Sequence, residues 1–123
     1  MNRAVLVVED EADILLLERF TLELGGYQVL GAASAEEALM VLERESIDAL
    51  VLDLGLPGMD GWGLLDRLQK EGVLGRLPVI AATAHASASM EERALKAGCR
   101  ACLIKPFSME ELRVTIDRLL DAG

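Results

Sequence analysis

Ile47-Asp48-Ala49-Leu50-Val51-Leu52-Asp53-Leu54-Gly55-Leu56-Pro57-Gly58-Met59-Asp60-Gly61 carries an apolar run straight into a carboxylate and then into a glycine-rich loop. An ionised acid at the end of a buried strand is costly unless something compensates it. Compensation stands at matching places elsewhere in the chain. Glu9-Asp10 follows Ala4-Val5-Leu6-Val7-Val8, Thr83 follows Pro78-Val79-Ile80-Ala81-Ala82, and Lys105-Pro106 follows Ala101-Cys102-Leu103-Ile104. If these strands lie side by side, three acids, one hydroxyl and one ammonium meet in one place.

The chain alternates apolar runs with amphipathic stretches five times. Strands are predicted at 4–8, 28–32, 48–52, 78–82 and 101–104, and helices at 12–24, 35–45, 60–71, 88–97 and 109–120. Ser34-x-x-Glu37, Ser89-x-x-Glu92 and Ser108-x-x-Glu111 fit the capping box, in which each side chain satisfies an orphan backbone N–H. Gly25-Gly26, Gly72 and Gly98 stand where left-handed helix caps are expected. Met109, Leu112, Ile116, Leu119 and Leu120 fall on one face of the last helix. The first helix is less clear, because Ile14-Leu15-Leu16-Leu17 is apolar nearly all round. Repeated strand–helix alternation implies an α/β fold, with parallel strands and helices on both faces. Functional groups in such folds gather beyond the carboxyl ends of the strands, which is where each of the residues singled out above stands.

The 123 residues suit one domain, 1–123, with a core that needs no disulfide or metal staple. Hydrophobic residues make up 52% of the chain, which excludes disorder, and only 3% are aromatic, so the core must be Leu, Val, Ile and Ala. The net charge of −9, from 21 acids against 12 bases, repels nucleic acid, and no Lys/Arg stripe offsets it. No apolar run approaches the roughly 18 residues of a membrane span, and the start shows no signal-peptide pattern, so a cytoplasmic protein is expected. Cys99 and Cys102 form a C-x-x-C, but Cys102 falls in a predicted strand rather than at a helix start, and a single histidine leaves zinc short of ligands. Structural cysteines are expected.

Three neighbouring carboxylates repel by about 4 kcal/mol per pair at ~4 Å and an effective dielectric near 20. A hard divalent cation removes that cost, and oxygen ligands favour magnesium, manganese or calcium. Magnesium typically takes one or two carboxylates, which Asp10 and Asp53 suit. With the charge neutralised by metal and Lys105, Asp53 becomes a nucleophile toward phosphorus. Thr83 and the backbone N–H of Ala84 could donate to phosphoryl oxygens. Each residue also has an ordinary use: Asp53 in a turn, Glu9-Asp10 capping a helix, Thr83 bonded to backbone, Lys105 in solvent.

In the order and spacing of Glu9-Asp10, Asp53 with Leu56-Pro57-Gly58-Met59-Asp60-Gly61, Thr83-Ala84 and Lys105-Pro106-Phe107, the chain resembles the receiver domain of bacterial two-component response regulators, from about Arg3 to Leu120. The resemblance implies a doubly wound, flavodoxin-like (βα)5 fold with a five-stranded parallel sheet of order 2-1-3-4-5. It implies that Asp53 accepts a phosphoryl group from a sensor histidine kinase or histidine phosphotransfer protein. Asp10 and Asp53 would ligate Mg2+, Glu9 would act through water, and Gly55 would offer its carbonyl. Lys105 would contact the phosphoryl group, with a cis bond to Pro106. Phosphorylation would draw Thr83 inward and repack the face of the fourth helix, fifth strand and fifth helix, altering contacts with a downstream output protein or domain. The switch face is also one through which two copies could pair. The domain would be a signalling phosphoacceptor and not a turnover enzyme.

Three features depart from the family pattern. Glu9 stands where Asp is more frequent, and Cys102 where Tyr or Phe is usual. Gly55 and His85 flank the pocket, the first leaving it open to water. Glu9 and Cys102 keep open a receiver-like module that binds without phosphorylation. A phosphatase with an Asp-x-Asp pair is disfavoured by Asp53-Leu54-Gly55, and a flavin site by the acids after the first strand.

Overall fold

A computed structural model describes residues 3–55, 61–84 and 87–121. The loop 56–60 and His85, both singled out in the sequence, lie outside the described residues. Five strands alternate with five helices: β1 (Ala4–Val8), α1 (Ala12–Leu24), β2 (Gln28–Ala32), α2 (Ala35–Arg44), β3 (Ala49–Asp53), α3 (Gly61–Lys70), β4 (Val79–Thr83), α4 (Ala88–Lys96), β5 (Ala101–Ile104) and α5 (Met109–Asp121). All strand pairs are parallel and the sheet order is β2-β1-β3-β4-β5, as the resemblance implied.

Strand side chains alternate between two cores. Leu6, Val8, Leu50, Leu52, Val79 and Ala81 pack with α2, α3 and Ala94 of α4. Val5, Val7, Ala49, Val51, Ile80 and Leu103 pack on the other face with Leu22 of α1 and Leu112, Ile116 and Leu120 of α5. Aliphatic runs buried on both faces are what a covered parallel sheet requires.

Two strands end one residue later than the sequence pattern indicates. Asp53 still pairs with Ala82, and Thr83 with Ile104, because a polar side chain ends an apolar run without ending the backbone ladder. Helix starts follow the capping residues with one correction. Ser34 Oγ accepts from the Glu37 N–H (3.1 Å) while the Glu37 carboxylate accepts from the Ala33 N–H (3.2 Å), and Ser108 Oγ accepts from the Glu111 N–H (3.0 Å). In α4 the cap is Ser87 and not Ser89: Ser87 Oγ accepts from the Met90 N–H at 3.1 Å. Gly26, Gly72 and Gly98 hold positive φ after α1, α3 and α4, conformations that cost glycine little.

Cys99 is buried, Cys102 is half-buried and both are free thiols. Burial pushes the Cys99 thiol up to about 12 and raises that of Cys102, so both are poor nucleophiles at neutral pH. Among the described residues no helix is long and apolar enough to cross a membrane.

Candidate functional site

The sheet ladder runs on past the strand ends and fixes the chain that carries the polar residues. The Glu9 N–H donates to Ala32 O (3.0 Å), the Leu54 N–H to Ala82 O (2.9 Å) and the Lys105 N–H to Thr83 O (2.7 Å). Glu9, Asp53, Thr83 and Lys105 are thereby held by backbone hydrogen bonds at one rim of the sheet. Gly61, at the start of α3, lies against the backbone of Leu54 and Asp53. A Cβ there would stand 2.6 Å from Leu54 Cα and 2.8 Å from the Asp53 carbonyl oxygen, closer than packed atoms approach.

Lys105 bridges two carboxylates. Its Nζ lies 3.0 Å from Asp53 Oδ2 and 3.2 Å from Glu9 Oε1. The second oxygen of each acid is also engaged: Asp53 Oδ1 accepts from the Gly55 N–H (3.0 Å), and Glu9 Oε2 from the Glu11 N–H (3.1 Å). Glu9 thus serves both the ion pair and the start of α1, whose N-cap Glu11 makes no side-chain cap of its own. Burial raises the Glu9 carboxyl; the Glu11 N–H counters this, the Asp53 charge adds to it, and Lys105 opposes it. For Lys105, burial works against the ammonium, but the hydrogen bonds and charges of Asp53 and Glu9 outweigh it and hold the group above its usual range. Lys105 is therefore charged at neutral pH. Its bond to Pro106 is cis.

Glu9, Asp10 and Asp53 each place a carboxylate oxygen within 4.8 Å of the others. At that separation a like-charged pair costs about 3 kcal/mol at an effective dielectric near 20, and one ammonium cannot cancel three acids. The donor set is all oxygen, Asp10 is exposed, and Asp10 and Asp53 line an open cleft of about 430 Å³. Such a site fits a small hard divalent cation that keeps part of its water.

Asp10, Asp53, Gly55, Thr83, Ala84 and Lys105 all line this cleft, with Trp62 and Met90 on its outer wall. Glu9 sits just beneath it, buried. The sequence motifs did not indicate the partner of Trp62: its ring, at the start of α3, is covered by the Arg93 guanidinium of α4 at 3.9 Å, a cation–π contact joining the two helices. Nor did they mark Glu18, a buried carboxyl on α1 that feels the charges of Glu9, Lys105 and Asp53.

The model of the response regulator receiver domain family matches residues 5–117. The chain is 34% identical over 120 residues to the alkaline phosphatase synthesis transcriptional regulatory protein PhoP of Bacillus subtilis, covering 98% of this chain and 49% of that protein. It is 36% identical over 116 residues to the phosphate regulon transcriptional regulatory protein PhoB of Rhizobium meliloti, covering 94% and 51%. The chain thus spans about half the length of these curated relatives. Among solved structures, the receiver domain of the Francisella response regulator 1452 superposes with a TM-score of 0.93 at 31% identity, covering 98% of each chain.

Proposed function

Because the chain belongs to the response regulator receiver domain family, we propose that it is a phosphoacceptor: Asp53 takes a phosphoryl group from a phosphohistidine on a sensor kinase or phosphotransfer protein. The observation that carries this is the placement of Asp53. Its carboxylate lies at the edge of an open cleft, 3.0 Å from a charged ammonium, with two further acids within 4.8 Å. A carboxylate so placed is reachable by a donor, while the charge that would repel an incoming phosphoryl group is partly cancelled.

Asp10 and Asp53 would hold Mg2+, with the Gly55 carbonyl as a further ligand. Glu9, whose two oxygens already accept from Lys105 and Glu11, would act through a bound water. The ion supplies charge neutralisation and orientation of phosphoryl oxygens. The chain's own groups do the rest. An Asp53 oxygen forms the new O–P bond as the bond from phosphorus to the histidine nitrogen breaks. The Lys105 ammonium, already beside Asp53, follows the charge to the phosphoryl oxygens. Thr83 and the Ala84 N–H, at the end of β4 on the same cleft, donate to those oxygens. The bound group adds up to about two negative charges near neutral pH, and the ends of β4 and β5 that carry Thr83 and Lys105 are the parts that respond. The face of α4, β5 and α5 then meets an output protein or domain. With Cys102 in β5, no aromatic ring in that strand can report the change.

We read residues 1–123 as one receiver domain that signals and does not turn over substrate. Incubation with acetyl phosphate and Mg2+ should add one phosphoryl group by intact mass, sensitive to hydroxylamine and absent in Asp53→Asn. Unchanged modification of Asp53→Asn would overturn the assignment. No modification at all would favour a module that binds its partner without phosphorylation.

A further inference from the structure

Helix α1 reverses its polarity at one place. Leu16 and Leu17 are 66% and 50% exposed, whereas Glu18 is only 2% exposed. Glu18 and Leu22 are the residues that α1 buries, one turn apart on a single stripe. Leu22 packs with Val5, Val7 and Val51. The same alternation turns Glu9, Asp53 and Lys105 toward this face: Val5 and Val7 precede Glu9 at its parity, Ala49 and Val51 precede Asp53, and Leu103 precedes Lys105. Helical side chains lean toward the start of their helix, and α1 starts at the rim that carries the acidic cluster. That lean carries the Glu18 carboxyl toward this rim, where the charges of Glu9, Lys105 and Asp53 reach it.

No hydrogen bond or ion pair among the described residues ends on that carboxyl. The charged groups that act on it are Glu9 from the end of β1, Asp53 from β3 and Lys105 from beyond β5. Helix α5, which also packs on α1, turns Leu112, Ile116 and Leu120 to this core, and its Arg113 lies beside Gly25 at the far end of α1. Strand β2 contributes Val29. An apolar residue at position 18 would complete the stripe at lower cost.

We propose that Glu18 is a proton site linked to the charge of the cleft: it holds a proton while the cleft is anionic and yields it when the cleft gains positive charge. The coupling to cation loading rests on the cation-dependent phosphoacceptor role given above. Burial, with the Glu9 charge adding to it, pushes the Glu18 carboxyl up to about 7, so the exchange falls near neutral pH. A divalent cation held by Asp10 and Asp53 would favour the carboxylate and release one proton to solvent. Reciprocally, the protonated form would bind the cation more weakly by the same factor. A phosphoryl group on Asp53 adds negative charge and acts in the opposite sense. Only the O–H bond of Glu18 forms or breaks, with water carrying the proton.

The test is carboxyl 13C NMR of glutamate-labelled protein across pH 5 to 9 (about two units either side of neutral), with the Glu18 signal assigned by its loss in Glu18→Gln. If that variant does not fold, Glu18→Asp supplies the assignment. In metal-free protein the midpoint should lie near neutral, fall in Asp53→Asn and rise in Lys105→Met. Saturating Mg2+ should lower it by about half a pH unit or more. A midpoint in the ordinary carboxylate range, or one that neither substitution moves, overturns the inference. So does a midpoint unmoved by Mg2+ while Trp62 fluorescence shows the ion bound. If both substitutions move the midpoint but no ion binds, the proton site is supported and the cation-dependent function is what fails.

Discussion

Replacing Glu18 by glutamine should make the protein more stable, and only above mildly acidic pH. The residue is 2% exposed, and its carboxyl has no hydrogen-bond partner among the described residues. Its folded-state value is about 7 against an ordinary value of 4.5. The native state therefore keeps a proton that the unfolded chain has lost between those limits. Below pH ~4.5 both states hold it and the group costs little. As pH rises from ~4.5 to ~7 stability falls by about 1.4 kcal/mol per unit, which sums to about 3 kcal/mol and then levels off. Glutamine keeps the shape and removes the charge. Urea unfolding should show the two proteins nearly equal at pH 4.5 and Glu18→Gln more stable by about 3 kcal/mol at pH 8. The other titrating groups are shared by both proteins, and only those coupled to the Glu18 charge (Glu9, Asp53 and Lys105) leave a small remainder in the difference. A difference that stays constant with pH, or a less stable glutamine variant at pH 8, would refute the reasoning.

Three further substitutions address the supports of the cleft. Lys105→Met leaves Glu9 and Asp53 facing each other without the ammonium and should cost about 1.5–3 kcal/mol at pH 7, by urea unfolding, with the deficit shrinking as acid protonates Glu9. Gly61→Ala drives a Cβ into the Leu54 and Asp53 backbone and should cost about 1–3 kcal/mol in thermal unfolding while shifting the amide resonances of residues 53–55. Ser34→Ala removes the cap of α2 and should cost about 1 kcal/mol in the same assay without moving those resonances.

All ten elements were legible because short aliphatic runs and amphipathic helices alternate without interruption, whereas the sheet order came only from the resemblance to the receiver family. Errors fell where two signals compete. Asp53 and Thr83 look like the first residues after their strands, since the apolar pattern stops before them, yet the ladder holds them as the last strand residues. Ser89-x-x-Glu92 fits a capping box, but Ser87 stands two residues earlier and takes the helix start. The convergence of Glu9, Asp10, Asp53, Thr83 and Lys105 followed from their common place at strand ends, since a parallel sheet brings those ends to one rim. Trp62 with Arg93 was not legible: the contact joins helices 31 positions apart in sequence, and no local pattern signals it. Glu18 left a trace in the sequence, an acid between Leu15 and Leu22 on the inward stripe, masked by the run of leucines before it.

The proposed phosphoacceptor role comes down to one covalent bond at one residue. After treatment with acetyl phosphate and Mg2+, borohydride reduces an aspartyl phosphate to homoserine, which peptide mass mapping can locate. Homoserine at position 53 alone is the predicted result; homoserine at Asp10, or at no aspartate in a protein that has taken up phosphate, would contradict it.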